Sequence, residues 1–245
     1  MEIKQSSSIR DYFMDENNLS NQIDIRQIIK EAFLLYKNNF QPFILVGLFY
    51  GFAGVVDGIL YASFKLKPGG ITFLLNILIT SWASMVLVEM SSRAFQNKTI
   101  DLREAFMSPK QKYWNYVVVA CTFFLLLTLG FLFFILPGIF FATIFIFADI
   151  VVILENRIFI DAFKRSAQLV SGLFGRVLLF SLLTALIILI PTLILGLLAA
   201  TPYLKFAKAL SVVATVFIAP FVISAQVRLY YAVKAIKKDE EVYDV

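Results

Sequence analysis

Six long apolar runs separated by polar segments form the main pattern of this 245-residue sequence. A helix needs about 20 apolar residues to cross a hydrocarbon core of roughly 30 Å. The runs are close to that length, so we predict six transmembrane helices: Phe43–Phe64, Ile71–Met90, Tyr116–Ile135, Ile139–Leu154, Val177–Ala199 and Leu210–Tyr231. The predicted fold class is an all-α polytopic membrane protein. Its single transmembrane domain (residues 21–236) lies between a polar N-terminal tail (1–20) and a charged C-terminal tail (237–245).

The third and fourth spans come from one apolar stretch. The segment from Val117 to Leu154 holds a single charged residue, Asp149, and is too long for one membrane-spanning helix. Leu136-Pro137-Gly138 lies in its middle. Proline presets the backbone for a turn, and glycine accepts positive φ. We therefore predict two helices joined by a tight hairpin at these three residues.

Composition and charge agree with a membrane protein and orient it. The sequence is 60% hydrophobic and 16% charged, whereas soluble domains are roughly 45–50% apolar and about 25% charged. Of the 22 Lys and Arg residues, 18 lie in alternate flanking segments, beginning with the N-terminal one. Because basic residues favour the cytoplasmic side, we expect a multi-pass protein of the plasma membrane with both termini in the cytoplasm.

Three basic amphipathic segments precede pairs of spans and share an acidic-Ala-Phe motif: Glu31-Ala32-Phe33, Glu104-Ala105-Phe106 and Asp161-Ala162-Phe163. This recurrence suggests three units of surface helix plus transmembrane hairpin. Basic amphipathic helices lie at the headgroup level and attract anionic lipid, so the bilayer is the expected partner. An alternative is that they are connectors packed on the bundle. The candidate headgroup contacts are Lys30, Arg103, Lys164, Arg165 and Arg176.

Two carboxylates lie inside predicted spans, where ionisable groups are costly and often functional. Asp57 is in the first span and Asp149 is near the middle of the fourth. One interpretation is a proton- or cation-coupled site formed by these two residues. The other is an Asp that is protonated or hydrogen-bonded against a neighbouring helix.

The first span carries two small-xxx-small pairs, Gly47 with Gly51 and Gly54 with Gly58. Such pairs allow helices to approach closely. They predict helix packing, either within the bundle or in a homo-oligomer. A second membrane protein is a further possible partner.

The sequence lacks the residues on which most catalytic and metal sites depend. It has no His and one Cys, Cys121, and it contains no nucleophile elbow, zinc motif, phosphate-binding loop or dinucleotide fingerprint. We therefore expect neither an enzyme nor a cofactor. The basic segments are interrupted by acids, which argues against nucleic-acid binding.

Residues 136–183 contain an ordered set of motifs: Leu136-Pro137-Gly138-Ile139, Phe147-Ala148, Val151 to Asn156, Ala162 to Ser166, and Leu169-Val170-x-Gly172. This segment resembles the membrane domain of the glycerophosphoryl diester phosphodiesterase family and its stand-alone relatives of unknown function. The resemblance implies an α-helical integral membrane protein of a prokaryotic plasma membrane. The phosphodiesterase site of fused members relies on His, which this sequence lacks, so the implied activity does not carry over.

Taken together, the sequence predicts an integral plasma-membrane protein without catalytic activity, which interacts with lipid or serves as an accessory scaffold. The alternative is a small secondary transporter or channel that uses Asp149 and Asp57.

Overall fold

The computed structural model describes residues 23–64, 71–199 and 207–243, and within these ranges it is helical with no strand. The helices are α1 (Ile25–Asn38), α2 (Phe40–Phe64), α3 (Ile71–Phe95), α4 (Leu102–Met107), α5 (Tyr113–Phe133), α6 (Ile135–Ile144), α7 (Ala148–Glu155), α8 (Phe159–Val170), α9 (Phe174–Ala199) and α10 (Ala207–Tyr243). A 3₁₀ turn, Ser108–Gln111, follows α4. The predicted all-α fold class is confirmed.

Five stretches in the described part of the chain are long and apolar enough to cross a membrane: Leu74–Phe95, Tyr113–Phe133, Ile135–Glu155, Phe174–Leu195 and Val212–Lys237. They correspond to the second through sixth predicted spans. The first predicted span lies in α2 (Phe40–Phe64), of which the described apolar stretch is Phe40–Ala53. A membrane crossing by α2, which would bring the total to six, and the three-fold repeat therefore stay predictions.

The predicted tails differ in what the structure describes. The N-terminal tail, residues 1–20, lies outside the described residues. At the other terminus α10 continues to Tyr243, through most of the segment 237–245 that the sequence marks as a tail.

The amphipathic helix α1 begins where its sequence predicts. Asp24 caps it, because the Asp24 side chain accepts hydrogen bonds from the backbone N–H groups of Arg26 and Gln27 at 2.9 and 3.3 Å. The buried face of α1 includes Ile28 and Ala32, and the helix packs mainly against α10. A cap and one apolar stripe thus hold this helix on the bundle.

The hairpin between α5 and α6 closes earlier than predicted. The turning residue is Phe134, which has extended backbone angles. Pro137 and Gly138 lie inside the first turn of α6, where proline is tolerated because its missing N–H would have no helical partner. A Cβ placed on Gly130 would lie 2.8 Å from the Cα of Gly138. Gly138 therefore does not form the turn. It permits the close contact of α5 with α6 at Gly130.

The fourth span is broken rather than continuous. Helix α6 ends at Ile144 and α7 begins at Ala148. The hydroxyl of Ser166 in α8 donates to the carbonyl of Ile144 at 2.7 Å and accepts from the N–H of Phe147 at 3.2 Å. Because a backbone break in an apolar interior leaves polar groups that need partners, Ser166 makes this break possible.

The two ends of the bundle differ in packing. We call the C-terminal ends of α3 and α7, the helix α8 and residues 224–236 of α10 the polar end. The largest core cluster centres there and includes the fully buried Phe147 and Tyr230. We call the α5–α6 turn and residues 186–197 of α9 the apolar end. Residues 132–136 at that turn are between 69% and 79% exposed, as expected for a surface that faces lipid.

Candidate functional site

A cavity of about 560 Å³ opens at the polar end between α3, α4, α7 and α10. Its charged lining comprises Arg93, Lys98, Lys112, Lys234, Glu89 and Glu104. The neutral hydrogen-bonding groups of Ser92, Gln96, Tyr230 and Tyr231 complete the wall. This cavity has six charged lining residues, whereas two apolar cavities between the described helices have none and a third cavity has two, which makes it the first candidate site.

Arg93 forms the centre of one wall. Its Nε–H donates to Glu89 at 2.9 Å, and its two terminal nitrogens donate to the two oxygens of Glu104 at 2.6 and 2.8 Å. This bidentate contact ties α4 to the end of α3. The hydrogen bonds from Arg93 hold the pKa of the Glu104 carboxyl below its ordinary value.

Glu155, the last residue of α7, lies next to the cavity and is bonded to two residues that line it, Tyr230 and Lys234. Its carboxylate accepts hydrogen bonds from Tyr230 and Lys234 at 2.8 Å each and from Arg165 at 3.1 Å. Its side chain is only 10% exposed. Glu155 thus joins α7, α8 and α10 through three donors.

Two lysines complete the cavity without a carboxylate partner among the described residues. Lys112 donates to the carbonyl of Ile153 at 2.6 Å, near the C-terminal end of α7. Lys98 follows Asn97, whose φ of 55° ends α3 in the left-handed region, and the Lys98 N–H bonds back to Arg93 O at 3.0 Å. Asparagine tolerates that conformation better than most residues. Local backbone geometry therefore places Lys98 at the cavity, whereas Lys112 is held there by a carbonyl that is distant in sequence.

A further ion pair attaches α1 to the bundle: Arg228 of α10 donates to Glu31. Burial raises the pKa of the Glu31 carboxyl, but the hydrogen bonds from Arg228 and Gln27 outweigh burial and leave that pKa below its ordinary value. Arg228 also lies over the ring of Phe95, with its guanidinium carbon 6.0 Å from the ring centroid. The acid of the motif Glu31-Ala32-Phe33 therefore serves as an anchor between helices.

A second polar group lies inside the bundle. Asp149 occupies the first turn of α7, directly after the break in the fourth span, and it is half-buried. Its carboxylate accepts the N–H of Ile150 at 2.8 Å and lies within electrostatic reach of the Tyr50 and Tyr116 hydroxyls. Tyr50 is 2.6 Å from the hydroxyl of Ser84. Four helices, α2, α3, α5 and α7, thus bring one polar side chain each to this cluster.

The wall of this inner cluster continues along α3. Asn76, Thr80 and Ser84 follow each other at intervals of four residues, which places them on one face of the helix. Asn76 and Thr80 line both of two neighbouring cavities, about 430 Å³ between α2, α3, α9 and α10 and about 350 Å³ between α3 and α5. The interval of four is visible in the sequence and could have identified the stripe.

The predicted headgroup contacts do not form one site. Lys30, Arg103 and Lys164 are exposed, on α1, α4 and α8 respectively. Arg165 is half-buried and paired with Glu155, and Arg176 is also half-buried. Glu155 and Lys112 were not among the predicted site residues, because nothing along the chain signals which distant groups they meet.

The predicted glycines of α2 lie against α10. A Cβ on Gly47 would come within 2.4 Å of the Val216 carbonyl oxygen, and one on Gly51 within 2.9 Å of a Val216 methyl group. The other predicted positions, Gly54, Gly58 and Asp57, lie outside the part of α2 whose packing is described. Within the described part of the chain, no three His, Cys, Asp or Glu residues are arranged to hold a metal ion.

No protein-family model, no curated protein and no solved structure matches this chain. The resemblance of residues 136–183 to the phosphodiesterase membrane domain therefore stays a prediction. The described residues form a helical bundle with five helices that are long and apolar enough to cross a membrane.

Proposed function

We propose that this protein is a six-span plasma-membrane protein without enzymatic activity that engages anionic lipid through α1 and α8 on the cytoplasmic side. The observation that carries this proposal is the pairing of exposed apolar and exposed basic residues on both helices. On α1, Phe33 is 53% exposed and lies between the exposed cations Lys30 and Lys37. An exposed phenylalanine flanked by lysines suits the boundary between acyl chains and headgroups.

Exposed apolar residues also lie next to exposed basic residues at the beginning of α8. Ile158 and Ile160 are each 57% exposed, and Arg157 and Lys164 beside them are exposed as well. Apolar burial would insert the isoleucines, while the cations would attract an anionic inner leaflet. The excess of Lys and Arg in alternate segments supports the cytoplasmic placement of both helices.

Energy transfer from tryptophan to a dansyl lipid tests the proposal. The chain has two tryptophans, and Trp114 is 69% exposed at the start of α5. In mixed micelles we expect stronger transfer to dansyl-phosphatidylglycerol than to dansyl-phosphatidylcholine, with the difference shrinking as salt rises. Each neutralised lysine should weaken the preference about fivefold, since one basic residue near an anionic surface contributes about 1 kcal/mol.

The informative variant is K30Q/K164Q, and its matched control is K65Q/K67Q in the loop predicted to lie outside. The double change on α1 and α8 should reduce the anionic preference, whereas the control should keep it. Equal transfer to both lipids in the unaltered protein would contradict the proposal.

A second function, transport of a small ion or polar solute, is favoured by one specific observation, the broken fourth span with Asp149 directly after the break. Discontinuous helices form ion and substrate sites in transporters because their free ends present polar backbone groups. Asp57 remains the other predicted member of such a site.

The single cysteine offers a direct test of this second function. Cys121 is exposed and lines the cavity between α3 and α5. Rapid labelling by a charged thiosulfonate in membranes would show that water enters the cavity, and we then expect Asp149→Asn to change the labelling rate. Absence of labelling in membranes, with labelling after solubilisation, would argue for a lipid-filled cavity and against transport.

A further inference from the structure

We propose that the cavity at the polar end binds a phosphate-bearing anion, either the headgroup of an anionic lipid such as phosphatidic acid or free phosphate. This inference rests on the proposed function, because it names a specific site for the anionic group that α1 and α8 would attract. It differs from that function in location: α1 and α8 present surface cations, whereas this site is an open cavity between helices.

The balance of charge carries the first step. The cavity lining contains four cations, Arg93, Lys98, Lys112 and Lys234, and two carboxylates, Glu89 and Glu104. A third carboxylate, Glu155, and a fifth cation, Arg165, lie beside the lining as ion-pair partners. Arg93 is paired with two of the carboxylates, and Arg165 and Lys234 share the third. Two positive charges remain. A phosphate group brings about one to two negative charges, which matches this surplus.

The remaining donors carry the second step. Lys112 uses one N–H on the Ile153 carbonyl, and an ammonium group has three donors, so two are left for a ligand. Lys98 forms no ion pair with any residue that the structure describes. These two lysines come from different loops but line one cavity, so an anion between them would satisfy both.

Neutral side chains that can form hydrogen bonds also line the cavity. Gln96 donates to the Tyr231 hydroxyl at 2.8 Å, and that hydroxyl is 2.6 Å from the hydroxyl of Ser92. Hydroxyl groups can turn their hydrogen toward an acceptor, so this row can donate to a phosphate oxygen. A volume of about 560 Å³ accommodates a phosphate with its glycerol and the first part of an acyl chain, since ligand cavities commonly measure about 300–1,000 Å³.

Binding to the full-length protein in neutral detergent tests the site. The probes are inorganic phosphate and dioctanoyl phosphatidic acid, with dioctanoyl phosphatidylcholine as the zwitterionic control. We expect K98Q/K112Q to weaken binding of the phosphate-bearing probe at least tenfold. The matched control is K110Q, an exposed lysine two residues from Lys112 that is not part of the cavity lining, and it should bind as the unaltered protein does.

The probes also distinguish the source of the anion. Tight binding of phosphatidic acid without competition from phosphate identifies a lipid site, and competition by phosphate identifies a site for the free anion. Because Lys98 is an exposed loop residue, K98Q alone should fold normally and still weaken binding, which keeps the test valid if the double variant is unstable.

Three outcomes would overturn the inference: no binding of either phosphate-bearing probe, unchanged affinity in K98Q/K112Q, or equal losses in K98Q/K112Q and K110Q. A retained preference for dansyl-phosphatidylglycerol together with any of these would remove the cavity site and leave the proposed function intact. Cavity binding without a preference for dansyl-phosphatidylglycerol would support the cavity site and contradict the proposed lipid engagement by α1 and α8.

Discussion

The polar and apolar ends of this bundle use different interactions. At the polar end, ion pairs and hydrogen bonds join helices distant in sequence, as Glu155 does for Arg165, Tyr230 and Lys234. At the apolar end, large side chains such as Leu132 and Phe133 are mostly exposed. Lipid can cover those side chains without a specific fit, because acyl chains are as apolar as the side chains. The comparison indicates that directional contacts at the polar end set the arrangement of the helices.

The largest effect should come from Glu155. Replacing it by Gln leaves Arg165 and Lys234 without their carboxylate, and removing one member of a mostly buried ion cluster is strongly destabilising. Since Lys234 is 41% exposed, solvent offsets part of the loss, and we expect E155Q to lower the free energy of unfolding by about 3 kcal/mol. Denaturation in detergent measures the change.

The control for E155Q is D161N, which alters an exposed acid of α8 and should change stability by less than about 0.5 kcal/mol. Similar losses in both variants would mean that the ion cluster around Glu155 makes no special contribution to stability.

The next effect concerns the contact of α2 with α10. A methyl group on Gly47 would meet the Val216 carbonyl at 2.4 Å, so Gly47→Ala must push the two helices apart and should cost about 2 kcal/mol. Gly175 offers the matched control, because a Cβ there has no neighbour within 4 Å. We expect Gly175→Ala to be neutral or to stabilise by up to about 1 kcal/mol. Equal unfolding free energies for the two variants would contradict the close approach.

A smaller effect is expected at the break in the fourth span. Ser166→Ala removes the partner of the Ile144 carbonyl and of the Phe147 N–H. An unsatisfied buried polar group costs about 1–3 kcal/mol, and relaxation of the break should keep the loss near 1 kcal/mol. Ser171→Ala, at an exposed position after α8, is the control. Faster hydrogen exchange at residues 145–148 in S166A only would confirm the local role.

The smallest effect is the pH dependence of the pair between Arg93 and Glu104. Arg93 lowers the pKa of Glu104 below its ordinary value of 4.5. A lowered carboxyl pKa in the folded state stabilises the protein above the ordinary pKa, and this contribution is lost as pH falls through the folded value. Unfolding midpoints from about pH 6 to about pH 3.5 should therefore fall less steeply in E104Q than in the unaltered protein. Parallel curves would show that the pair adds no measurable stability, as some exposed pairs do not.

The sequence by itself determined the helical class and five of the helices that are long and apolar enough to cross a membrane. Apolar runs such as Val177–Ala199 have few alternatives in a bilayer, because a helix satisfies its own backbone polar groups. The N-terminal cap of α1 was equally predictable, since Asp24 acts only on residues two and three positions later. These features are local, so composition and spacing are enough to predict them.

Only the tertiary structure decided the features that depend on distant residues. Phe145-Ile146-Phe147 contains neither Gly nor Pro, so its sequence predicts no break, and the break depends on Ser166 from another helix. The polar-end cavity likewise combines Lys98 and Lys112 with side chains of α10. The physical reason is that hydrogen bonds and ion pairs act over a few ångströms, so they depend on which helices meet rather than on which residues are neighbours in the chain.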